Sequence, residues 1–414
     1  VSGGFQAPRG TRDWFGAEAL RRRRVIEHAR SVFESAAYGE VVTPTFEDTG
    51  VFARTSGEGS DVVRKEMYTF SDRGDRSLTL RPEGTAGVVR AYIEHGMSRL
   101  PQPVKMWYCA PMFRYSAVQR GRFREHYQFG VEVVGSDDPA IDAEVIALQG
   151  AWYARCGVGG FRLELNSIGD ATCRPAYLEL LVAFLDEHRD ELCEECWERR
   201  QSNPLRVFDC KNERCQAVLA DAPKITDHLC DDCRVHFAAV RGMLDARQVE
   251  YQVSPGLVRG LDYYTRTAWE FVTDRLGAQG TIGGGGRYDG LSEQLGGPPA
   301  PGVGFGSGIE RVLELAGDDA GAQSGWVCFA VVSADARPRL YAIMDELRLR
   351  GRTADAVYGG RSLRRQLEQA GRRGAAVSVI VGDDEWGRGV AVVRDMNTGD
   401  QREVALDDLL GDLS

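Results

Sequence analysis

The stretch that most constrains this chain is residues 104–135, VKMWYCAPMFRYSAVQRGRFREHYQFGVEVVG. Residues 104–112 carry β-branched and aromatic side chains with one proline near the end, which predicts a buried strand. Residues 129–134 predict a second apolar strand. Between them lie Arg114, Arg120, Arg122 and Arg124. Two strands joined by an arginine-rich loop make a platform with cations held over one end, and a guanidinium grips phosphate oxygens in two places at once. Gln128 and Glu132 are four apart on the returning strand, so alternation puts them on one face. Cations beside such a pair suit a ligand with a phosphate at one end and an ammonium or N–H at the other. Standing alone, the same stretch also reads as a surface hairpin with solvated arginines.

At 414 residues the chain exceeds one ordinary core, and two or three domains are expected. With 43% hydrophobic and 27% charged residues it has the composition of a soluble globular protein. No apolar run approaches the ~20 residues that span a bilayer. The opening VSGGFQAPRG has no apolar core, so no signal peptide and a cytoplasmic location are expected. The ten cysteines then read as thiols or metal ligands rather than disulfides. A net charge of −10 argues against a nucleic-acid partner, yet binding is local, and residues 21–24, 120–124 and 361–373 are each basic.

Residues 17–36 repeat apolar positions at Leu20, Ile26, Ala29, Val32, Phe33 and Ala36, a helical spacing. A strand over 40–43 follows and stops at Pro44. LTLRPEGT, 78–85, is a strand running into a turn that carries Glu83 and Thr85. A carboxylate and a hydroxyl there can hold an α-ammonium group, and equally can cap a helix over 86–92. Asp137 and Asp138 before Pro139 signal a helix start, with the helix running to about residue 156 and a strand over 161–166.

Residues 170–250 change character: they read as helices and carry Cys193, Cys196, Cys210, Cys215, Cys230 and Cys233. The spacings C-x2-C, C-x4-C and C-x2-C suit a closed, structural tetrahedral zinc site, although free thiols would show the same spacing. Cys210, Cys215, Cys230 and Cys233 are the expected ligands, with Cys193 and Cys196 as alternates.

Three glycine-bearing strings come next: LVRGLDYYT (257–265), GGGGRYDGL (283–291) and GVGFGSGIERVLEL (302–315). Glycines let backbone approach a ligand closely. An arginine such as Arg259 near a reacting carboxylate and phosphate would neutralise developing charge. Arg311 would open a helix beginning near Ile309. GDDAGAQSG, 317–325, lacks periodicity and reads as a linker. Beyond it, strands over 326–332, 353–358, 377–381 and 389–394 alternate with helices over 338–349, 361–373 and 406–413, which implies a small sheet with helices on its faces. Arg361, Arg364, Arg365, Arg372 and Arg373 either face phosphates or are a solvated basic helix.

FRYSAVQRGRFREHYQFGVE resembles motif 2 of the class II aminoacyl-tRNA synthetases, and specifically that of the histidyl-tRNA synthetase family. PRGTRD at 8–13, the helix and strand over 17–44, RPEGT, LVRGLDYYT, GGGGRYDGL and GVGFGSGIERVLEL follow the family's order along the whole chain. The resemblance implies an α+β catalytic domain with an antiparallel sheet, over 1–169 and 251–317. It implies a helical, cysteine-rich insertion over 170–250, a linker at 318–325 and an α/β anticodon-binding domain over 326–414. The activity implied is that of a histidine–tRNA ligase, with ATP and L-histidine as substrates, tRNA as partner and magnesium accompanying the triphosphate. A homodimer through the 17–44 unit, structural zinc in the insertion, and no membrane association complete it.

The family's motifs imply roles for particular residues. Arg114 and Arg259 would hold the α-phosphate and the attacking carboxylate. Arg114, Arg122 and Arg311 would bind ATP, with Arg311 over the adenine. Glu83, Gly84, Thr85, Gln128, Glu132, Tyr263 and Tyr264 would bind histidine. His126 stands where many members carry an aromatic residue that stacks on adenine, a contact imidazole makes less strongly. Two rivals remain open. The synthetase-like regulatory subunit of ATP phosphoribosyltransferase resembles the same core without aminoacylating, and typically lacks the C-terminal domain. A metal-organised RNA-binding module would need only the cysteine segment and the basic helices.

Overall fold

The computed structural model describes residues 5–56, 66–118, 121–277, 280–317, 325–358 and 362–414. Arg120, Arg361 and residues 318–324 of the linker expected over 318–325 lie outside the described residues. The chain divides into two compact units, Val1–Ala320 and Gly321–Ser414.

The first unit opens with α1 (Gly16–Ser35) and β1 (Gly39–Glu40). Then come β2 (Phe46–Asp48), α2 (Thr49–Ser56), β3 (Tyr68–Ser71), β4 (Ser77–Leu80) and α3 (Thr85–Glu94). The long pair β5 (Val104–Phe113) and β6 (Glu125–Val134) leads to α4 (Pro139–Arg155) and β7 (Arg162–Ser167). Helices α5 (Arg174–Glu187), α6 (Glu194–Ser202), α7 (Glu213–Ala220) and α8 (Asp231–Ala246) follow. The unit closes with β8 (Gln252–Val253), β9 (Thr265–Val272), β10 (Thr281–Arg287), α9 (Leu291–Gln294), β11 (Gly302–Gly308) and α10 (Ile309–Leu315).

These strands form an eight-stranded sheet in the order β1-β5-β6-β11-β10-β9-β7-β8, and β2, β4 and β3 form a small second sheet. The interior pairs are antiparallel, as expected from the sequence. Both edges are parallel: β1 pairs with β5, and β8 with β7. The helical segment α5–α8 supplies the crossover that a parallel β7–β8 pair needs. One face of the sheet is apolar. Trp107, Phe129, Val131, Trp269, Phe271, Val303 and Phe305 pack in one core with α1 and α4. Phe129 stacks on Trp107 with centroids 5.7 Å apart, and its ring meets Phe33 of α1 at 5.5 Å and Trp152 of α4 at 5.1 Å. The start of α4 is set by Asp138, whose carboxylate accepts from Ala140 N at 2.9 Å, with Pro139 entering the first turn.

The second unit comprises β12 (Trp326–Val331), α11 (Arg337–Leu349), β13 (Ala354–Ala356), α12 (Leu363–Arg372), β14 (Ala375–Val381), α13 (Asp383–Arg388), β15 (Val390–Asp395), β16 (Gln401–Ala405) and α14 (Leu409–Leu413). Its five-stranded sheet runs β13-β12-β14-β15-β16, parallel at first and antiparallel from β14 onward. The sequence reading missed β16, because this edge strand, QREVA, is mostly exposed and carries no apolar alternation. Among the described residues no helix is long and apolar enough to cross a membrane.

One buried ion pair crosses the first unit. Arg287 at the end of β10 donates to Asp142 of α4 at 2.9 and 2.7 Å, and both side chains are fully buried. His236 of α8 meets the same carboxylate at 3.2 Å. Replacing Asp142 by Ala leaves the buried guanidinium with only the partly exposed Asp289, at 3.0 Å, as its counter-ion and is expected to cost up to about 3–5 kcal/mol. Chemical denaturation of the full chain checks this; a loss below about 1 kcal/mol would contradict a structural role for the pair.

Candidate active site

Along β10 and β11 the opposite face of the sheet is almost bare of side chains. Register aligns Gly284 and Gly286 of β10 with Gly306 and Gly304 of β11, and these with Gly130 and Glu132 of β6; Gly308 pairs with Gln128. Alternation therefore gives a patch of glycines bordered by Gln128 and Glu132, which do share a face. The glycines make room for the protein's own polar side chains. A Cβ at Gly304 would lie 2.0 Å from Glu132 Oε2, and one at Gly306 1.5 Å from Gln128 Nε2. A Cβ at Gly284 would meet an Arg259 nitrogen at 2.9 Å, and one at Gly286 the Tyr264 ring at 2.8 Å. Of the four-glycine run only alternate members serve this face, since Gly283 and Gly285 are pressed against Ser307 and Phe305 on the other.

At one end of the patch Glu132 is completely buried. Its Oε1 accepts from Thr85 Oγ1 at 2.7 Å, and Oε2 from the Tyr288 hydroxyl. Tyr108 reaches the same carboxylate at 3.5 Å. Burial pushes its pKa up to about 8, with the Tyr288 and Thr85 hydroxyls pulling the other way. Glu83 is also buried, which raises its pKa, and accepts from Thr85 N at 2.6 Å and Ala86 N at 2.9 Å. It therefore caps α3, the alternative already visible in the sequence, while holding a carboxylate beside Thr85. Gly84 lies against the Tyr108 ring, which a Cβ there would strike at 2.3 Å. Tyr263 and Tyr264 close this end, with ring centroids 4.7 Å apart and Tyr288 at 5.9 Å from Tyr263. Gln128, whose amide nitrogen lies over Gly306, has its Oε1 buried without a hydrogen-bond partner.

The other end is cationic. Arg259 donates to Glu270 of β9, whose second oxygen accepts from Thr281 Oγ1 at 2.7 Å. Its guanidinium carbon lies 5.4 Å from the Tyr264 ring centre. Arg311 on the first turn of α10 donates to the Thr281 carbonyl, and Arg114 Nε to the Pro82 carbonyl at 2.7 Å. Arg122 is exposed on the returning loop. His126 is held to a pKa of about 3, first by burial and then by the charges of Arg114, Arg311 and Arg122, so its ring is neutral at physiological pH. Tyr108, Tyr288 and Glu270 were not singled out from the sequence; a lone acid inside the apolar strand TRTAWEFV was the one signal available.

The cysteines assort differently from expectation. Cys210 and Cys215 converge with Cys193 and Cys196, whereas Cys230 and Cys233 converge with Asp170 and Cys173. The expected set Cys210, Cys215, Cys230 and Cys233 is thus split between two clusters, with the former alternates completing the first. Spacing identifies pairs but not which pairs meet: α6 and α7 bring the first two together, and α8 carries the third back to the strand end at β7. In the second unit Arg373 pairs with Asp355 at 2.7 Å and covers Trp326, and Arg364 pairs with Glu368 at 3.0 Å.

Residues 10–312 match the family model for histidyl-tRNA synthetase, and residues 327–414 that for an anticodon binding domain. The histidine–tRNA ligase of Desulforamulus reducens is 48% identical over 408 residues, covering 97% of each chain. That of Nocardia farcinica is 49% identical over 414 residues, covering 98% of this chain and 97% of its own. The solved apo histidyl-tRNA synthetase of S. aureus aligns with a TM-score of 0.83 at 37% identity, covering 99% of this chain and 100% of that one.

The raised pKa of Glu132 has a stability consequence. The folded chain keeps this proton up to pH about 8, whereas an unfolded glutamate loses it near 4.5. Stability contributed by the group is full below about pH 4.5 and is lost as pH rises toward 8, with a slope of at most about 1.4 kcal/mol per pH unit. The wild type should therefore lose stability relative to Glu132→Gln between pH 5 and 8 in parallel denaturation series. A difference that stays flat across that range contradicts the burial argument.

Proposed function

The chain belongs to the histidyl-tRNA synthetase family, and from that premise we infer that it joins L-histidine to tRNA in two steps on the glycine-cleared face. The histidine carboxylate attacks the α-phosphorus of ATP and pyrophosphate leaves. The terminal ribose hydroxyl of the tRNA then attacks the adenylate carbonyl and AMP leaves. Neither step needs a side-chain nucleophile, so catalysis is positioning and charge stabilisation. The observation that carries this reading is that one face holds a buried acid among tyrosines at one end and arginines at the other. A histidyl-adenylate has the matching polarity. Residues 327–414, as an anticodon binding domain, give the tRNA its second hold; the regulatory-subunit reading leaves that domain without a use.

We propose that Glu132 accepts an N–H of the substrate imidazole and that the Tyr264 hydroxyl donates to its other nitrogen. Gln128, Glu83 and Thr85 take the α-ammonium, beside Gly84, and Tyr263 closes the pocket. The unpartnered Gln128 Oε1 supports this assignment, because a buried acceptor without a donor suits an ammonium. Arg114 and Arg259 hold the α-phosphate and the attacking carboxylate. Arg122 takes the outer phosphates, and Arg311 and the neutral ring of His126 take the adenine. Magnesium would accompany the triphosphate, and the Glu270 carboxylate beside Arg259 would be an oxygen ligand for it.

Structural zinc is proposed at Cys193, Cys196, Cys210 and Cys215. Their sulfurs all lie within 4.8 Å of one another, and Cys193 and Cys210 are 3.8 Å apart. That is about the edge of a zinc–thiolate tetrahedron built on bonds of about 2.3 Å. By its resemblance to the insertion of the family, the segment that carries this site is proposed to reach the tRNA acceptor stem. Ten thiols free of disulfides suit the cytoplasm.

Histidine-dependent ATP–pyrophosphate exchange tests the activity: it should appear with histidine and with no other amino acid, and its absence would refute the assignment. Arg259→Ala should lower the exchange kcat by about 10²–10³-fold, because its guanidinium acts on charge that develops during reaction. Near-normal turnover with only weakened binding would assign Arg259 to ground-state affinity instead.

We also propose a homodimer through α1 and β1. The strand β1 is an open edge of the large sheet, Val42 just beyond it is exposed, and Phe15 lies exposed at the start of α1. An edge strand with apolar neighbours is a ready surface for self-pairing. Sedimentation at micromolar concentration should show a dimer; a monomer with full exchange activity would sink the proposal.

A further inference from the structure

The chain leaves the large sheet at β7 and returns to it at β8, and a second ligand cluster lies at that root. Asp170 and Cys173 sit between β7 and α5, and Cys230 and Cys233 at the start of α8. Their ligand atoms all lie within 4.8 Å of one another. Cys173 Sγ is 3.9 Å from Cys233 Sγ and 3.6 Å from Asp170 Oδ1; Cys230 Sγ is 3.8 Å from the same oxygen. A zinc tetrahedron with sulfur at about 2.3 Å and oxygen at about 2.0 Å has edges of about 3.8 Å between sulfurs and about 3.5 Å from sulfur to oxygen. A partly buried carboxylate converging with three thiols is a good ligand set for a divalent ion of the zinc class.

The surroundings are those of a built site. Asp170 Oδ1 is oriented by Thr172 N at 2.9 Å and Cys173 N at 3.3 Å, and Asp170 N donates to Cys173 Sγ at 3.4 Å. Arg266 of β9 lies 3.6 Å from Asp170 Oδ2, the outer support that a ligating carboxylate commonly has. We propose that Asp170, Cys173, Cys230 and Cys233 bind a second zinc-class ion, separate from the one assigned to the four-cysteine cluster. Four protein ligands leave no open position, so the role is structural. Each of the three thiols gives its proton to solvent as its thiolate bonds the metal.

The site is wired to the pocket. Arg174, next to Cys173, donates to the carbonyls of Ile168 at 3.1 Å, Gly169 at 3.1 Å and Tyr264 at 2.7 Å. Gly169 O also accepts from Arg266 N at 2.7 Å, and Ile168 N donates to Arg266 O at 2.8 Å. An ion at this root thus fixes the loop that holds the Tyr264 backbone, joining the insertion to the imidazole end of the pocket. This coupling rests on the assignment of Tyr264 to histidine; the metal site does not.

The test uses the full chain, with zinc per chain measured by elemental analysis and with cobalt(II) titration. Wild type should carry two equivalents and Cys230→Ser one fewer, and cobalt should give tetrahedral d–d bands that reach their endpoint at two equivalents. Cys230→Ser holding as much zinc as wild type overturns the proposal. Should that variant not fold, the wild-type cobalt endpoint decides: two equivalents support the site, one or none overturns it. For the coupling, Cys230→Ser should raise KM for histidine severalfold and leave KM for ATP within about twofold, the kind of effect an outer-shell support carries. An unchanged KM for histidine removes the link to Tyr264. If exchange were absent from the wild type, the functional reading would fail while the metal counts still decided this one.

Discussion

A carboxyl group buried without solvent must either find donors or keep its proton, and Glu132 does both. Its environment organises the region around it. Thr85 arrives from the start of α3, Tyr108 from β5 and Tyr288 from the end of β10, each bringing a hydroxyl to the same acid. Glycine at 304 is the space its Oε2 occupies. Removing any of these leaves an acid in the interior with an unmet requirement, a penalty of about 1–3 kcal/mol for a polar group and more for a charge.

The large sheet works because its two faces are made differently. Phe129, Trp269 and Phe305 fill one face against α1 and α4, which anchors the strands. Gly130, Gly284, Gly286, Gly304 and Gly306 clear the other, so that long polar side chains can lie flat across the backbone. The arginine end follows from this: Arg259 reaches over Gly284 to Glu270, and the Thr281 that braces Glu270 gives its carbonyl to Arg311. A β-carbon at these positions would lift the side chains out of register, and the two ends of the face would no longer be aligned.

Much of this was legible in the chain. Strong β-branched and aromatic runs announced β5 and β6, and the period of two was enough to pair Gln128 with Glu132 on one face. The helix starting at Pro139 was announced by its capping aspartate and proline. Other features had no local signal. Tyr288 and Glu270 act through partners on other strands, and nothing in their immediate sequence says so. The glycine run read as room for a ligand, whereas half of it serves the core face and half makes room for the protein's own side chains. The cysteines were grouped because 210–215 and 230–233 flank one helical stretch, but helices α6 to α8 decide which of them meet, and Asp170 and Cys173 were invisible because a lone acid and a lone thiol carry no spacing.

The central claim is that Glu132 is the acid that reads the substrate, and that it holds a proton until histidine arrives. Near pH 7 a group with a pKa of about 8 is mostly protonated. A carboxylate is the stronger acceptor for an imidazole N–H, and we propose that Glu132 ionises to take it, so that histidine binding releases close to one proton. Calorimetric titration of histidine into the protein, repeated in buffers of different ionisation enthalpy, counts that proton directly. The account predicts a release near one for the wild type that disappears in Glu132→Gln. Equal release from both, or none from the wild type, would contradict the ionisation of Glu132 on histidine binding.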